Sequence, residues 1–399
     1  MNKLFVEKLQ VRGKRVLVRV DFNVPLGKDG EITDDRRITE SLRTIEYLVK
    51  NGARTILMSH WAPSKKKDDP KPSLKPVAER LSQLLRKEVR LAPARTGPQV
   101  KAMLQGLGDG DVILLENLRL GPEEEKNDST FAAELAALAE IYVNDAFGSA
   151  HRAHASTEGV THHFKQRAAG YLMKKELDYL GGALEHPKRP FVAIVGGAKI
   201  SSKIVVIDAL LKKVDTLIIG GGMAYTFFKA MGREVGKSIL EPAQVEVAKA
   251  ILEKAKTGAG ARILLPVDCV AADKYDNDAD RRVVDADKIP ADRECLDIGP
   301  KSIEIFSKTI REAKTVIWNG PMGVFEFPNF AKGTFAVAQA LVDCTKAGGV
   351  TVVGGGDSAS AIADAGLEDQ VSHVSTGGGA SLEFLEGKKL PGVEALSDA

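Results

Sequence analysis

Short apolar runs alternate along the chain with longer segments of mixed polarity. Short, almost unbroken apolar runs are typical of strands that are covered on both faces. The predicted strands are Val16–Val20, Thr55–Met58, Val112–Leu115, Ile141–Val143, Phe191–Val195, Leu217–Ile219, Ile263–Leu265, Val316–Trp318 and Val350–Val353. The segments between them predict helices at Thr39–Lys50, Ser73–Lys87, Ser129–Glu140, Ser201–Lys213, Pro242–Lys256, Lys301–Glu312 and Ala331–Lys346. This alternation indicates βαβ units, so we expect an α/β fold with mainly parallel sheets.

The composition is that of an ordinary folded chain and disfavours several classes of protein. The chain has 399 residues, of which 44% are hydrophobic and 28% are charged, and this length predicts two domains. A net charge of +2 disfavours a dedicated nucleic-acid binder. The three cysteines form no C-x-x-C pair, and no uncharged apolar run approaches the ~20 residues of a membrane span. We therefore expect a cytoplasmic protein that binds neither nucleic acid nor a membrane.

Polar and basic residues follow or border the predicted strands of the first half. They are Asp21, Phe22, Asn23, Arg36, Arg37, His60, Arg119 and Arg152, with Phe22 lying inside the first such segment. In open α/β sheets the ligand crevice lies outside the carboxyl ends of the strands. Arginine suits a bidentate contact with phosphate or carboxylate, although any one arginine is more often an ordinary surface residue. The set as a whole predicts a site for a small anion.

Glycine-rich turns follow the predicted strands of the second half. They lie at Gly196–Lys203, Gly220–Gly222 and Gly354–Ser358, and Ser375–Ser381 adds further donors. Glycine lets backbone N–H groups approach a phosphate chain closely. Lys199 and Lys203 can face the same way if the first turn after the strand is helical, and a bound polyanion would explain two lysines at a helix N-terminus. A structural turn with solvent-facing lysines is the alternative, but the repetition of such turns favours a nucleotide site.

Asp357 has two possible roles at the start of its predicted helix. It can cap the helix N-terminus, or it can hold Mg²⁺ on the phosphates of a nucleotide, because hard cations prefer carboxylate oxygens. The sequence leaves both roles open.

Two other motifs resemble known sites but do not fit them. Gly232–Ser238 has three residues between its glycines, where a P-loop needs four, and it follows a predicted helix instead of a strand. His151, His154, His162 and His163 lack the glutamate of a zinc-protease motif, so we do not expect a transition-metal site there. The histidines beside Arg152 are instead expected to help bind an anion.

Taken together, these motifs resemble the phosphoglycerate kinase family along nearly the whole chain. The resemblance is carried by Arg15–Pro25, Glu116–Arg119, Asn144–Phe147, Ala150–His154, Gly196–Lys203, Gly220–Phe227, Trp318–Glu326, Gly354–Ser358 and Ser375–Gly387. It implies two lobes, each a Rossmann-like three-layer α/β/α sandwich with a mainly parallel sheet, joined by a helix and hinge. It also implies a monomer whose lobes close on each other during catalysis.

The resemblance implies a division of the chain and a reaction. Residues 1–170 would form an N-terminal domain that binds 3-phosphoglycerate, completed by a C-terminal segment at about 385–399. Residues 171–184 would form a stiff connecting helix that ends at Gly181–Gly182, and 185–384 would bind nucleotide. The reaction would be ATP + 3-phosphoglycerate ⇌ ADP + 1,3-bisphosphoglycerate, with Mg²⁺ as cofactor and ATP or ADP as co-substrate.

The matching motifs imply roles for individual residues. The groups that would bind phosphoglycerate are Asp21, Phe22, Asn23, Arg37, His60, Arg119 and Arg152, with Arg37 preferred over Arg36 because it directly precedes Ile38. The groups that would bind nucleotide are Lys199, Lys203, Asn319, Glu326, Gly355, Gly356, Asp357 and Ser358, with Asp357 holding the metal. Arg37 and Lys203 would be catalytic and would stabilise the transferring phosphoryl group.

One segment departs from the family pattern. After His60 the family usually continues Leu-Gly-Arg-Pro, whereas this chain has Trp61-Ala62-Pro63-Ser64. An arginine of the family's basic patch is therefore missing. Either the lysines Lys65–Lys67 compensate, or phosphoglycerate binds more weakly.

Two other function classes fit parts of the pattern. A nicotinamide-dependent dehydrogenase shares the α/β alternation, but no G-x-G-x-x-G follows a predicted strand here. A non-catalytic nucleotide-binding module is the second alternative, and the lysine and arginine set disfavours it.

Overall fold

The computed structural model describes residues 2–27, 30–62, 71–257 and 261–399, and every element below belongs to these ranges. The chain divides into two compact units, one of Met1–Asp178 with Lys389–Ala399 and one of Tyr179–Lys388. Within the described residues, no helix combines the length and the apolarity required to cross a bilayer.

The first unit is built on one parallel sheet. Its elements in chain order are β1 (Arg15–Arg19), α1 (Arg36–Lys50), β2 (Arg54–Met58), α2 (Lys75–Leu85), β3 (Val89–Leu91), α3 (Pro98–Gln105), β4 (Val112–Leu114), α4 (Ser129–Ala136), β5 (Ile141–Asn144), β6 (Arg167–Ala169) and α5 (Tyr171–Glu176). Short 3₁₀ helices lie at Val6–Lys8, Leu118–Leu120, Phe147–Ser149 and Gly159–His163. The strand order β3-β4-β2-β1-β5-β6 changes direction at β1, because the chain first adds strands on one side of β1 and then on the other.

The second unit repeats this plan and adds a small antiparallel sheet. Its elements are α6 (Gly182–Glu185), β7 (Phe191–Val195), α7 (Ile204–Leu211), β8 (Thr216–Ile219), α8 (Met223–Ala230), α9 (Val245–Lys256), β9 (Arg262–Leu264), β10 (Asp268–Ala272), β11 (Arg281–Asp285), β12 (Glu294–Ile298), α10 (Pro300–Glu312), β13 (Thr315–Asn319), α11 (Lys332–Lys346), β14 (Val350–Gly354), α12 (Gly356–Asp364), β15 (His373–Val374) and α13 (Gly379–Leu385). The 3₁₀ helices lie at Ile200–Ser202, Pro242–Gln244, Pro328–Phe330 and Glu368–Gln370. The parallel order β15-β14-β13-β7-β8-β9 changes direction at β7, and β11-β10-β12 form the antiparallel sheet.

The chain ends on the first unit, with α14 at Pro391–Glu394. The Gly392 N–H donates to the carbonyl of Ala150 at 2.9 Å, and the Asn144 amide donates to the carbonyl of Gly392 at 3.2 Å. The Leu4 N–H donates to Ser397 at 2.7 Å, so both chain ends meet within this unit.

Apolar residues from the central strands and their covering helices form the cores. Val16 and Val18 of β1 are fully buried with Ile45 of α1 in the first unit. Val192 and Ile194 of β7 are buried with Trp318 of β13 in the second. Burial of both sheet faces explains why these strands are almost uniformly apolar. The predicted α/β class with mainly parallel sheets is confirmed.

The helical segment in which the chain passes from one unit to the other covers residues 171–185, one residue more than the predicted 171–184. It does not end at Gly181–Gly182 but continues through a π turn at Leu177–Gly181 into α6. It ends at Glu185, and His186 precedes Pro187. The residue before a proline is biased away from helical backbone angles, so Pro187, and not the glycine pair, accounts for the end of the helix.

Candidate functional site

Asp21 and Arg37 form an ion pair at the point where the first sheet changes direction. Asp21 lies two residues after the end of β1, and Arg37 lies in the first turn of α1. The Arg37 Nη1 lies 2.8 Å from the Asp21 Oδ1, and the Ser149 hydroxyl donates to the Asp21 Oδ2 at 3.1 Å. Burial alone would raise the pKa of Asp21, but the charges of Arg37 and Arg19 hold it well below its ordinary value. Asp21 is therefore a fixed carboxylate that orients Arg37.

His60 is a neutral hydrogen-bond donor in the same region. It is buried, and Arg19 Nη2 lies 3.1 Å from its Nδ1. A guanidinium can only donate, so Nδ1 accepts and the ring proton lies on Nε2. Burial first, and then the charges of Arg19, Arg119 and Arg37, lower the pKa of His60 well below its ordinary value. The imidazole therefore offers an Nε2–H without carrying a charge.

A buried carboxylate and hydroxyl hold Arg19 in place. The Arg19 Nε donates to the Ser156 hydroxyl at 2.7 Å, and Ser156 donates to Glu124 through its hydroxyl at 2.6 Å and its N–H at 3.0 Å. The Arg19 Nη2 lies 4.0 Å from the Glu124 carboxylate, and both side chains are almost completely buried. Buried charges are costly unless they are paired and hydrogen-bonded, as these are.

Arg119 and Arg152 extend the positive region. The Arg119 side chain is 12% exposed, and its Nε, which makes no hydrogen bond with the described residues, lies 3.5 Å from the Glu125 Oε1. Burial lowers the pKa of Arg119, and the charge of Arg152 lowers it further. Burial and the charges of Arg19, Arg119 and Arg152 together lower the pKa of His154 to about 4. Burial is the largest cause of this shift, and the three arginine charges act in the same direction, so the local potential is positive and favours an anion.

Three other predicted residues of the first unit have more ordinary surroundings. Arg36 pairs with Asp34 at 2.9 Å and not with Asp21. The Asn23 side-chain oxygen accepts the Ala62 N–H at 2.8 Å. The Phe22 ring is completely buried in the core, so only its backbone, whose N–H donates to the Ser59 hydroxyl at 2.9 Å, faces the polar groups.

The structure describes only part of the segment that departs from the family pattern after His60. Trp61 is almost completely buried, its indole N–H donates to the Val24 carbonyl at 2.9 Å, and its backbone N–H donates to Asn117 at 2.9 Å. Trp61 is therefore a core residue. Pro63, Ser64 and Lys65–Lys67 lie outside the described residues.

In the second unit, the turns after β7, β8 and β13 are joined to one another by backbone hydrogen bonds. The Gly196 and Gly197 N–H groups donate to the carbonyls of Asn319 and Pro321 at 2.9 and 3.1 Å, and the Gly221 N–H donates to Met322 at 3.1 Å. A Cβ on Gly196 would lie 2.1 Å from the Pro321 carbonyl oxygen. Close packing of the backbone turns requires glycine at 196 and 221, whereas Gly197 is required by its φ of +113°. Their N–H groups bind neighbouring carbonyls, which differs from the predicted direct contact with phosphate.

The turn after β14 keeps the character that the sequence predicts for a phosphate site. Gly355 has φ +90° and precedes α12, whose first N–H groups have no partner within the helix. A Cβ on Gly355 would lie 2.9 Å from the Asn319 Nδ2, a buried donor that has no hydrogen-bond partner among the described residues. The Ser358 hydroxyl accepts the Gly320 N–H at 2.5 Å and joins this turn to the one after β13.

The two predicted lysines have different surroundings. A 3₁₀ turn, Ile200–Ser202, separates them, so the helical first turn that would make them face the same way is not formed. Lys199 is exposed, whereas Lys203 contacts the Asn319 side-chain oxygen. Burial lowers the pKa of Lys203, and the negative charge of Asp357 opposes this shift, so these two groups are close enough to interact.

A cavity of about 350 Å³ opens beside these turns. Glu326 and Asp357 are the predicted nucleotide residues among its lining, together with Gly197, Gly221, Tyr225 and Tyr275. The lining combines glycine turns, two aromatic side chains and carboxylates, which is the mixed surface typical of a small-molecule site. Lys199, Lys203, Asn319, Gly355, Gly356 and Ser358 border the same turns but are not part of this lining.

Asp357 fits a magnesium ion that a nucleotide brings with it. The carboxylate is exposed in the first turn of α12, and no ion pair between described residues occupies it. Mg²⁺ often binds one or two carboxylates, with waters and substrate phosphates as its other ligands. In the described ranges, no three His, Cys, Asp or Glu side chains cluster closely enough to hold a metal by themselves.

The segment Gly232–Ser238 is a loop after α8, and a Cβ on Gly236 would lie 2.3 Å from backbone carbonyls of 290 and 293.

Sequence reasoning missed the groups that support His60. The only signal for Arg19 is a charged residue inside an apolar strand. Glu124 and Ser156 carry no local signal, because their roles depend on tertiary contacts with Arg19.

Comparison with known proteins identifies the family. The family model described as phosphoglycerate kinase matches residues 6–388. The chain is 59% identical to the phosphoglycerate kinase of Chloroherpeton thalassium and 58% identical to that of Chlorobaculum tepidum, in each case over 100% of both chains. Its structure is similar to that of phosphoglycerate kinase from Coxiella burnetii, with a TM-score of 0.88, 40% identity and 98% of each chain covered. The chain therefore belongs to the phosphoglycerate kinase family.

Proposed function

We propose that the arginine cluster of the first unit binds 3-phosphoglycerate and that the turns and cavity of the second unit bind ATP or ADP. As a phosphoglycerate kinase, the chain transfers a phosphoryl group between ATP and 3-phosphoglycerate in glycolysis. The observation that carries the assignment is the pair of oriented donors after the first two strands: Arg37 lies 2.8 Å from Asp21, and His60 lies 3.1 Å from Arg19. The charges of Arg119 and Arg152 add to the positive potential of this region. A three-carbon acid with a phosphate is an anion that such a potential attracts.

The first unit supplies a fixed set of donors for this anion. Arg37 is oriented by Asp21, and His60 offers a neutral Nε2–H because Arg19 holds its Nδ1. The acceptor carboxylate of 3-phosphoglycerate is already ionised near pH 7, so no general base is required. The groups Asp21, Asn23, Arg37, His60, Arg119 and Arg152 therefore position the substrate and neutralise its charge, and do not move protons.

The second unit supplies donors for the nucleotide phosphates. The free N–H groups at the start of α12, the Asn319 amide and the Lys203 ammonium all lie around the Gly355 turn. A helix N-terminus favours an anion through its N–H groups and its dipole. Lys199, Glu326, Gly356 and Ser358 complete the nucleotide site. Lys203 and Arg37 stabilise the charge on the phosphoryl oxygens during transfer.

Mg²⁺ is part of this proposal, with Asp357 as the residue that holds it. Bound Mg²⁺ would neutralise charge on the nucleotide phosphates. Asp357 would also balance the charge of Lys203, with which it interacts electrostatically. We further propose that the protein acts in the cytoplasm as a monomer, since each proposed ligand site is complete within one chain. Sedimentation at micromolar concentration tests the oligomeric state.

A coupled assay tests the reaction and the assignment together. ATP consumption should depend on added 3-phosphoglycerate and on Mg²⁺, and the protein should not transfer hydride to or from NAD. ADP binding without turnover would instead indicate a non-catalytic nucleotide-binding module. By calorimetry, Arg119→Ala should weaken 3-phosphoglycerate binding while leaving ADP binding unchanged, and Lys203→Ala should do the reverse. If each variant weakens both ligands equally, the assignment of ligands to units is wrong.

A further inference from the structure

Two of the three cysteines are in direct contact on the small antiparallel sheet. Cys269 lies on β10 and Cys295 on β12, and their sulfur atoms are 2.6 Å apart. Cys295 pairs with Ala271, two residues along β10 from Cys269 and therefore on the same face of the sheet. The backbone already brings the two side chains within bonding reach.

The two sulfurs differ in their access to small molecules. Cys295 lines the cavity of about 350 Å³ in the second unit, whereas Cys269 lies behind it and is not part of the lining. Cys344, the third cysteine, is completely buried in α11 and lies 3.4 Å from the Ala313 carbonyl oxygen. A reagent that enters the cavity therefore meets Cys295 first, and Cys344 serves as an internal control.

The polar surroundings also distinguish the two thiols. The hydrogen bond from Cys269 lowers the pKa of Cys295 despite burial, and the hydroxyls of Ser238 and Tyr225 lower it further. The same hydrogen bond and burial raise the pKa of Cys269. Cys295 is therefore the more acidic thiol of the pair, and the thiolate is the reactive form of cysteine.

We propose that Cys295 and Cys269 form a reversible redox pair, in which Cys295 reacts with a small disulfide in the cavity and Cys269 converts the adduct into an intrachain disulfide. The pair would thus remove thiol adducts from the cavity in which nucleotide is proposed to bind. Glu294, Glu326 and Asp357 line the same cavity. In the free protein, where no Mg²⁺ offsets these carboxylates, a neutral disulfide should therefore enter more readily than an anionic one.

The exchange balances without any further reagent. The Cys295 thiolate attacks one sulfur of the entering disulfide, forms a mixed disulfide and releases one thiolate, which takes up a proton. Cys269 then loses its proton, attacks the Cys295 sulfur and releases the second thiol. Two protein thiols are oxidised by two electrons, and one small disulfide is reduced to two thiols.

The test uses the full-length reduced protein and the neutral reagent 2-hydroxyethyl disulfide. After treatment, alkylation of the unfolded protein and mass spectrometry should find one alkylated thiol, Cys344, and a Cys269–Cys295 disulfide that a dithiol reductant reverses. Cys269→Ser should instead accumulate a mixed disulfide at Cys295. Cys295→Ser should react at least about tenfold more slowly, because Cys269 lacks both access and thiolate character. Cys344→Ser is the matched control and should form the disulfide as the wild type does.

Several results would overturn the proposal. These are three alkylated thiols in the wild type, a lasting adduct in the wild type like that of Cys269→Ser, or reaction at Cys344 before Cys295. The wild-type measurement needs no variant, so it decides the matter even if a serine variant misfolds.

A second arm rests on the proposed nucleotide site. Saturating ADP should slow the loss of the Cys295 thiol, because ADP bound in this cavity would block the access of the disulfide to Cys295. A disulfide that forms at the same rate with and without ADP would support the cysteine pair and contradict the placement of nucleotide in this cavity. The two proposals can therefore fail separately.

Discussion

Replacing Arg37 with alanine tests the proposed stabilisation of the transferring phosphoryl group. The Arg37 side chain is 34% exposed, so its charge acts through a medium of intermediate polarity. At an effective dielectric constant of about 20, a charge about 4 Å from a phosphoryl oxygen contributes about 4 kcal/mol. Loss of one such preorganised donor commonly lowers kcat by about 10²–10³. We therefore expect Arg37→Ala to lower kcat by about that factor, with little change in the KM for ATP.

The same substitution also removes a partner of buried Asp21. Asp21 keeps the hydroxyl of Ser149 at 3.1 Å and the nearby charge of Arg19, so the carboxylate is not left alone. Loss of a hydrogen bond to a charged group costs about 1–3 kcal/mol, and partial exposure of Arg37 favours the lower end. Thermal unfolding should show a decrease of a few degrees, too small to explain the loss of turnover.

Arg36 provides a matched control, because it is the same residue type one position earlier in α1. It pairs with Asp34 at 2.9 Å and not with Asp21. In a coupled assay of ATP consumption with varied 3-phosphoglycerate, Arg36→Ala should keep kcat within about twofold of the wild type. Equal losses in the two variants, or an Arg37→Ala enzyme with normal kcat, would refute the assigned role of Arg37.

Two further substitutions test the nucleotide turn and a buried carboxyl. Gly355→Ala should weaken ADP binding by about tenfold in calorimetry, because φ is +90° and the new Cβ would lie 2.9 Å from the Asn319 amide. The control Gly366→Ala should leave ADP binding unchanged, because Gly366 also has a positive φ, +66°, but a Cβ there would meet no atom within 4 Å. Burial raises the pKa of Asp145 to about 7. Between about pH 4 and pH 7, the native state therefore keeps a proton that the unfolded chain has lost. The free energy of unfolding falls as the pH rises through that range. Asp145→Asn can still accept the Met173 N–H, and urea unfolding at several pH values should show this fall reduced by up to about 4 kcal/mol. Any fall that remains is explained by Asp297, whose pKa burial also raises to about 7. Parallel pH profiles for the two proteins would contradict the assignment.

Sequence patterns predicted the elements whose burial is uniform. The strand Phe191–Val195 has the predicted bounds, because all five residues are buried between helical layers. The strand Arg281–Asp285 was missed, since it is largely exposed and carries charged residues, so its pairing with β10 leaves no apolar run. The short strands Val89–Leu91 and His373–Val374 were missed because a charged or polar residue leaves neither of them a continuous apolar run.

For the candidate site, sequence patterns predicted the residues that directly follow strands. Parallel strands bring their carboxyl ends to one edge of a sheet, so Asp21 and His60 could be expected near each other. The groups behind them could not be predicted: Glu124 and Ser156 are 32 residues apart and are brought together only by the fold. The use of Gly196 and Gly197 for packing between turns was equally hidden, because a phosphate-binding turn and an interlocked turn both require glycine.

Hydrogen exchange with each ligand alone tests most directly which unit binds which substrate. 3-Phosphoglycerate alone should protect backbone amides of the first unit, foremost in 119–128 and 150–154, where Arg119 and Arg152 lie. ADP with Mg²⁺ should protect 197–203 and 355–358 in the second unit. Protection of the Gly355 turn by 3-phosphoglycerate, with none near Arg152, would contradict the account.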